Sequence, residues 1–83
     1  MSEVRVYGRQ LCEDTEATRH QLERLGVAYS YHDIDQEPDA AQWVKDMNGG
    51  EQITPTVSIL GEILADPDEA EIISVLRSTG LLH

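Results

Sequence analysis

The stretch EVRVYGRQLCEDTEATRHQLERLGVAYSYHDID (residues 3–35) decides the fold of this 83-residue chain. Its first part, 3–8, is a short apolar run that ends at a glycine, which predicts a buried strand. Residues 13–25 favour a helix, and Gly26 is a natural C-terminal stop for it. Residues 27–35 alternate and are rich in β-branched and aromatic side chains, which predicts a second strand. A strand–helix–strand unit implies a parallel strand pair joined by a right-handed crossover.

The rest of the chain adds a helix, a β-hairpin and a final helix. Pro38 suits the first turn of a helix that Gly49–Gly50 would end. The elements predicted after it are a strand over 56–60, a two-residue turn at Gly61–Glu62, a strand over 63–65 and, after Asp66–Pro67–Asp68, a helix over 69–78. The order is β-α-β-α-β-β-α in a single domain that spans 1–83. We expect an α/β fold in which three helices pack on the faces of one mixed four-stranded sheet.

Composition and charge argue against several classes of function, among them nucleic-acid binding and association with a membrane. The chain has 16 acidic residues against 6 Lys and Arg, a net charge of −10, and such a surface repels nucleic acid and anionic membranes. No segment approaches the length and apolarity of a membrane span, and the N-terminus has no apolar region typical of a signal peptide. The one cysteine cannot form an internal disulfide. Together these three observations lead us to expect a cytoplasmic protein. His20 and His83 have no further ligands at metal spacing, and we expect no metal site.

Cys12 lies where the first strand has ended and the first helix begins, an edge at which α/β sheets commonly place their sites. The unpaired N–H groups and the partial positive charge of a helix N-terminus favour a thiolate over a thiol. Glu13 and Asp14 oppose it as neighbouring negative charges, and Arg9 could offset them in part. The sequence leaves this balance open, together with the structural alternative that Cys12 is a small buried hydrophobe.

Five stretches of the chain together resemble the glutaredoxin family, and within it the mycoredoxin-like branch. They are "VYGRQLC" (6–12), "VAYSYHDID" (27–35), "WVKDMNGG" (43–50), "TPTV" (54–57) and "LADPDEAEI" (64–72). The resemblance implies a thioredoxin-like fold and thiol–disulfide exchange on mixed disulfides between proteins and a small thiol. Mycothiol or glutathione would be a co-substrate rather than a bound cofactor.

The resemblance also implies roles for individual residues. Cys12 matches the attacking cysteine of the family's Cys-x-x-Cys or Cys-x-x-Ser motif, and Thr15 takes the place of the resolving cysteine, so that only a monothiol cycle remains. Thr54 and Pro55 match the family's cis-proline segment. The other residues implied to bind the small thiol are Arg9, Gln52 and Asp66, the last in an Ala-Asp-Pro sequence close to the Asn-Pro of mycothiol-using members.

The motif Cys-Glu-Asp-Thr departs from both Cys-Pro-Tyr-Cys and the Cys-Gly-Phe-Ser of cluster-binding members. Three functions therefore compete. The first is a monothiol thiol–disulfide oxidoreductase that acts, as a monomer, on S-thiolated proteins. The second is a binding module that keeps the scaffold without efficient redox chemistry. The third is an iron–sulfur carrier in which two chains share a cluster through one Cys12 each.

Overall fold

The computed structural model describes residues 3–82 and has the predicted order of elements. The strands are β1 (Val4–Gly8), β2 (Ser30–Asp33), β3 (Thr56–Ile59) and β4 (Glu62–Ala65), and the helices are α1 (Glu13–Arg24), α2 (Pro38–Met47) and α3 (Glu69–Ser78). Within these residues, no helix is long and apolar enough to cross a membrane.

One four-stranded sheet has the order β2-β1-β3-β4. β1 pairs with β2 in parallel, which is the strand–helix–strand unit expected from the sequence. β1 pairs with β3, and β3 with β4, in antiparallel register. The α/β prediction of a mixed sheet with three helices is confirmed, and the architecture is the thioredoxin-like fold.

Two apolar clusters fix the helices to opposite faces of the sheet. The first joins both central strands to α1 and α3 through Val4, Val6, Leu22, Val57, Ile59, Ile72 and Leu76. The second joins β1 to α2 through Tyr7, Ile34, Ala40 and Val44. Neighbouring side chains of a strand point to opposite faces, so α1 and α3 cover one face and α2 the other. Full burial of each large aliphatic side chain contributes about 1.5–3 kcal/mol to this packing.

Two of the differences from the predicted boundaries have a clear cause in the strand pairing; β1 and α1 differ by one residue each at one end. The hairpin turn is Leu60–Gly61 rather than Gly61–Glu62, because Ile59 pairs with Glu62 and leaves two loop residues with φ of 49° and 89°. Positive φ at both central residues is the turn geometry that matches the twist of a hairpin. β2 is limited to Ser30–Asp33 instead of 27–35, since its register covers only the partners available along β1.

The fold brings two chain segments to one end of the sheet. β1 ends at Gly8, and the loop that follows leads to α1. β3 runs antiparallel to β1, and its first residue, Thr56, pairs with Tyr7 near that end. The segment before β3, with Thr54 and Pro55, therefore lies beside the loop that carries Cys12.

Candidate functional site

Cys12 is the N-cap residue of α1, with extended backbone angles. Its carbonyl accepts the first backbone hydrogen bond of the helix, from the N–H of Glu16 at 3.1 Å. The side chain is half-buried and the thiol is free. The structure thus excludes the alternative of a fully buried small hydrophobe.

The surroundings lower the pKa of the Cys12 thiol. The Thr15 hydroxyl is the strongest influence; burial acts next and in the opposite direction. The backbone N–H of Thr15, the Thr54 hydroxyl and the backbone N–H of Asp14 also lower this pKa. No carboxylate is among these leading influences. The net shift that the sequence left open is therefore toward the thiolate, because hydrogen bonds from helix N–H groups and hydroxyls outweigh burial.

Thr15 is fully buried on the first turn of α1, directly against β1. A Cβ added to Gly8 would lie 2.7 Å from Thr15 Oγ1 and closer still to its methyl group. Thr15 Oγ1 has no partner in regular hydrogen-bond geometry, although its hydroxyl lowers the pKa of Cys12 more than any other group. The Thr15 hydroxyl is therefore poorly aligned with the neutral thiol and stabilises the sulfur once the sulfur is charged.

Thr54 and Pro55 complete the other wall around the sulfur. The Thr54–Pro55 peptide bond is cis, as the resemblance implied. Thr54 Oγ1 lies 3.8 Å from Cys12 Sγ. Pro55 is buried, and its carbonyl accepts a hydrogen bond from the backbone N–H of Asp66 at 2.8 Å. One continuous set of contacts therefore joins Cys12, the cis-proline segment and Asp66.

Arg9 is not among the leading influences on the Cys12 pKa, and its guanidinium is engaged elsewhere. Its guanidinium pairs with Asp35 through two contacts of 3.2 Å, Nε to Oδ2 and Nη2 to Oδ1. Nη2 also donates to Gln52 Oε1 at 3.3 Å. Arg9 and Gln52 are thus brought together as predicted, but Asp35 was missed. A signal existed: Arg9 follows β1 and Asp35 follows β2, and parallel neighbours end at the same edge of the sheet.

Asp66 lies beside a second carboxyl group, that of Asp14. The Asp66 side chain is exposed, so the desolvation that comes first among the influences raising its pKa is only partial; the negative charge of Asp14 and a hydrogen-bonding influence of that side chain follow. The pair borders a shallow depression of about 270 Å³ between α1 and α3 that Asp68 and Glu69 also line. This side of the site is strongly acidic.

The contacts of His32 and the grouping of the described acidic, cysteine and histidine side chains do not indicate a metal site. His32 is half-buried and hydrogen-bonded, with Nδ1 3.0 Å from Glu37 and Nε2 3.3 Å from Ser30, as expected for a structural histidine. Within residues 3–82, no group of three or more His, Cys, Asp or Glu side chains could hold a metal ion. The expectation for His83 lies outside the described residues.

Comparison of the sequence with known protein families identifies the family of this chain. The glutaredoxin family model matches residues 4–64. The chain belongs to the glutaredoxin family. Mycoredoxin 1 from Corynebacterium glutamicum is 33% identical to this glutaredoxin over 79 residues, which cover 94% of this chain and 98% of that protein. The protein is therefore a mycoredoxin-like member of the glutaredoxins.

Solved structures give the same fold. A mutant of the thioredoxin-like protein BC3987 matches this glutaredoxin with a TM-score of 0.84 at 25% identity, covering 93% of this chain and 97% of that one. A glutaredoxin from Archaeoglobus fulgidus matches with a TM-score of 0.77 at 22% identity, covering 93% and 88% of the two chains. As a glutaredoxin, the protein is a thiol oxidoreductase.

Proposed function

We propose that this glutaredoxin is a monothiol thiol–disulfide oxidoreductase that removes a small thiol from S-thiolated proteins. The observation that carries the proposal is the chain's one cysteine as N-cap of α1, with its pKa lowered by Thr15, Thr54 and helix N–H groups. A thiolate is the attacking species in disulfide exchange. Such a free thiol persists in a reducing compartment, and we propose a cytoplasmic location.

The cycle has two exchange steps, each of which breaks one disulfide and forms another. Cys12 Sγ attacks the small-thiol sulfur of a protein mixed disulfide, and the protein thiolate leaves and takes up a proton. A second small thiol, as its thiolate, then attacks the small-thiol sulfur held on Cys12 and releases the Cys12 thiolate with an oxidised small-thiol dimer. Thr15 cannot form a disulfide, so the dithiol route is closed.

The groove beside the sulfur would hold the small thiol. We propose that Thr54 and Pro55 position its cysteine part and that Asp66 receives a donor group from it. Arg9 and Gln52 border the other end of this groove. The guanidinium of Arg9 is already paired with Asp35, and Gln52 is uncharged.

This arrangement favours mycothiol over glutathione. Glutathione carries two carboxylates and one ammonium group, and its excess negative charge would meet a paired arginine at one end and the acidic depression at the other. Mycothiol is a neutral sugar-linked thiol and would not meet that repulsion. The Asp66–Pro67 sequence, which resembles that of mycothiol-using members, supports the same choice.

The test compares turnover of one peptide thiolated either with mycothiol or with glutathione. We expect a higher kcat/KM for the mycothiol form, with activity lost in Cys12→Ser. Full activity in that variant would rule out the proposed nucleophile. A preference for the glutathione form would overturn the assignment of the small thiol. Slow alkylation of Cys12 at neutral pH together with no turnover would favour a binding module instead.

A further inference from the structure

Leu11, the residue before the nucleophile, is the most exposed large apolar side chain in the described part of the protein. It exposes 99% of its surface, against 50% for Leu60 and 46% for Met47. An exposed leucine by itself needs no explanation. Leu11 directly precedes Cys12, however, so its exposed side chain lies on the same loop as the sulfur at which a protein disulfide would be exchanged.

The backbone of Leu11 gives a second, independent observation. Its φ is 61°, in the left-handed region that glycine and asparagine adopt far more readily than leucine. Neither burial nor backbone geometry therefore accounts for a leucine here. Backbone strain of this kind clusters at functional sites. Leu60 also has a positive φ but lies in the hairpin turn, at the end of the sheet away from Cys12.

The charges around Leu11 indicate what kind of protein it would meet. Glu13, Asp14 and Glu16 are exposed on the adjacent first turn of α1, and the whole chain carries a net charge of −10. Leu11 is thus an apolar tip followed along the chain by exposed carboxylates, while the nearby Arg9 is paired with Asp35. The complementary surface is an apolar contact bordered by lysine or arginine side chains.

We propose that Leu11 docks the protein half of the mixed disulfide, and that the preferred partners carry their thiolated cysteine beside an apolar and a basic side chain. This inference rests on the proposed function and adds a class of protein substrate to it. The strained leucine then binds a partner at the point where the disulfide is exchanged. Burial of most of one leucine side chain corresponds to a change of about tenfold in kcat/KM or in affinity.

The test uses Leu11→Asn, because asparagine accepts the positive φ and removes the apolar tip. Leu60→Asn is the matched control, since it makes the same exchange at a positive φ in the distant turn. Two peptides of equal length carry the same thiolated cysteine, flanked by leucine and lysine in one and by serine and glutamate in the other. The mixed disulfide of the same small thiol with 2-mercaptoethanol is the substrate without a protein half.

We expect the wild type to prefer the leucine–lysine peptide. In Leu11→Asn, the ratio of kcat/KM for that peptide to kcat/KM for the 2-mercaptoethanol disulfide should fall about tenfold, and in Leu60→Asn it should not change. An unchanged ratio in Leu11→Asn would overturn the inference, and so would equal turnover of both peptides by the wild type. Self-association of the wild type in sedimentation, lost in Leu11→Asn, would assign the tip to a second copy of the chain instead.

Failure of the proposed function has a different signature, which is no turnover of the 2-mercaptoethanol disulfide by the wild type. Docking can then still be measured as binding of the fluorescently labelled leucine–lysine peptide to Cys12→Ser. Introducing Leu11→Asn into that protein should weaken the binding about tenfold. Equal binding with and without leucine at residue 11 would contradict the proposal.

Discussion

Replacing Thr15 with valine should make the protein more stable and its thiol less reactive. Valine keeps the shape of threonine, so the close packing against Gly8 is retained. The variant removes a buried hydroxyl that has no regular hydrogen-bond partner, a kind of group that costs about 1–3 kcal/mol when left unpaired. Taking the lower limit of about 1 kcal/mol, the melting temperature should rise by roughly 4–8 °C for a domain of this size. The Thr15 hydroxyl is also the strongest influence that lowers the pKa of Cys12, so that pKa should rise.

Two measurements test the Thr15→Val prediction on one sample: thermal unfolding by circular dichroism, and the rate of Cys12 alkylation as a function of pH. Thr18→Val is the matched control, because Thr18 is also buried on α1 but is not among the groups that shift the Cys12 pKa. It should leave the alkylation profile unchanged. A lower melting temperature with an unchanged alkylation profile in Thr15→Val would refute the reasoning, because Thr15 would then serve only in packing.

Two further substitutions test the acidic side of the site. Asp66→Asn should raise the melting temperature at pH 7, because partial desolvation and then Asp14 raise the pKa of the exposed Asp66 carboxyl in the folded state, so that its ionisation destabilises the fold. The gain should vanish below the ordinary pKa of 3.8, where this carboxyl is protonated in both the folded and the unfolded state. An equal gain at both pH values would contradict this. Asp68→Ala should lower the free energy of unfolding by about 1 kcal/mol, which is about 4–8 °C in thermal unfolding, because the Asp68 side chain accepts a hydrogen bond from the Glu71 N–H at 2.8 Å in a capping box. Asp39→Ala is the control: Asp39 lies in the first turn of α2, which has no such cap, so this variant should lower the melting temperature less.

The order of the elements could be predicted because each boundary has a local cause. Gly26 follows α1, Pro38 starts α2, and the apolar runs have the period of strands. The hairpin turn was displaced by one residue because Leu60, an apolar residue, extends the apparent strand. Its positive φ is imposed by the pairing of Ile59 with Glu62, which becomes known only when both strands are in register.

The residues around the sulfur were found mostly through the family resemblance, and their contacts were harder to predict. The sequence left open whether Arg9 offsets the acids beside Cys12, and its partner in the structure, Asp35, lies 26 residues away in sequence. The closeness of Asp14 to Asp66 likewise depends on how α1 and the start of α3 meet across the face of the sheet. Contacts of this kind come from tertiary packing, and they can be read from the sequence only after the strands and helices have been placed relative to one another.

The close contact between Gly8 and Thr15 has a consequence for the variation of this protein. A methyl group at residue 8 would collide with Thr15, whose atoms belong to the rigid first turn of α1. The two positions are therefore coupled: a larger residue 8 needs a smaller residue 15, or the helix moves off the sheet and carries Cys12 with it. Gly8→Ala alone should strongly lower the melting temperature, and adding Thr15→Gly should restore part of that loss. Chains that keep the nucleophile in this position would be expected to exchange these two residues together rather than one at a time.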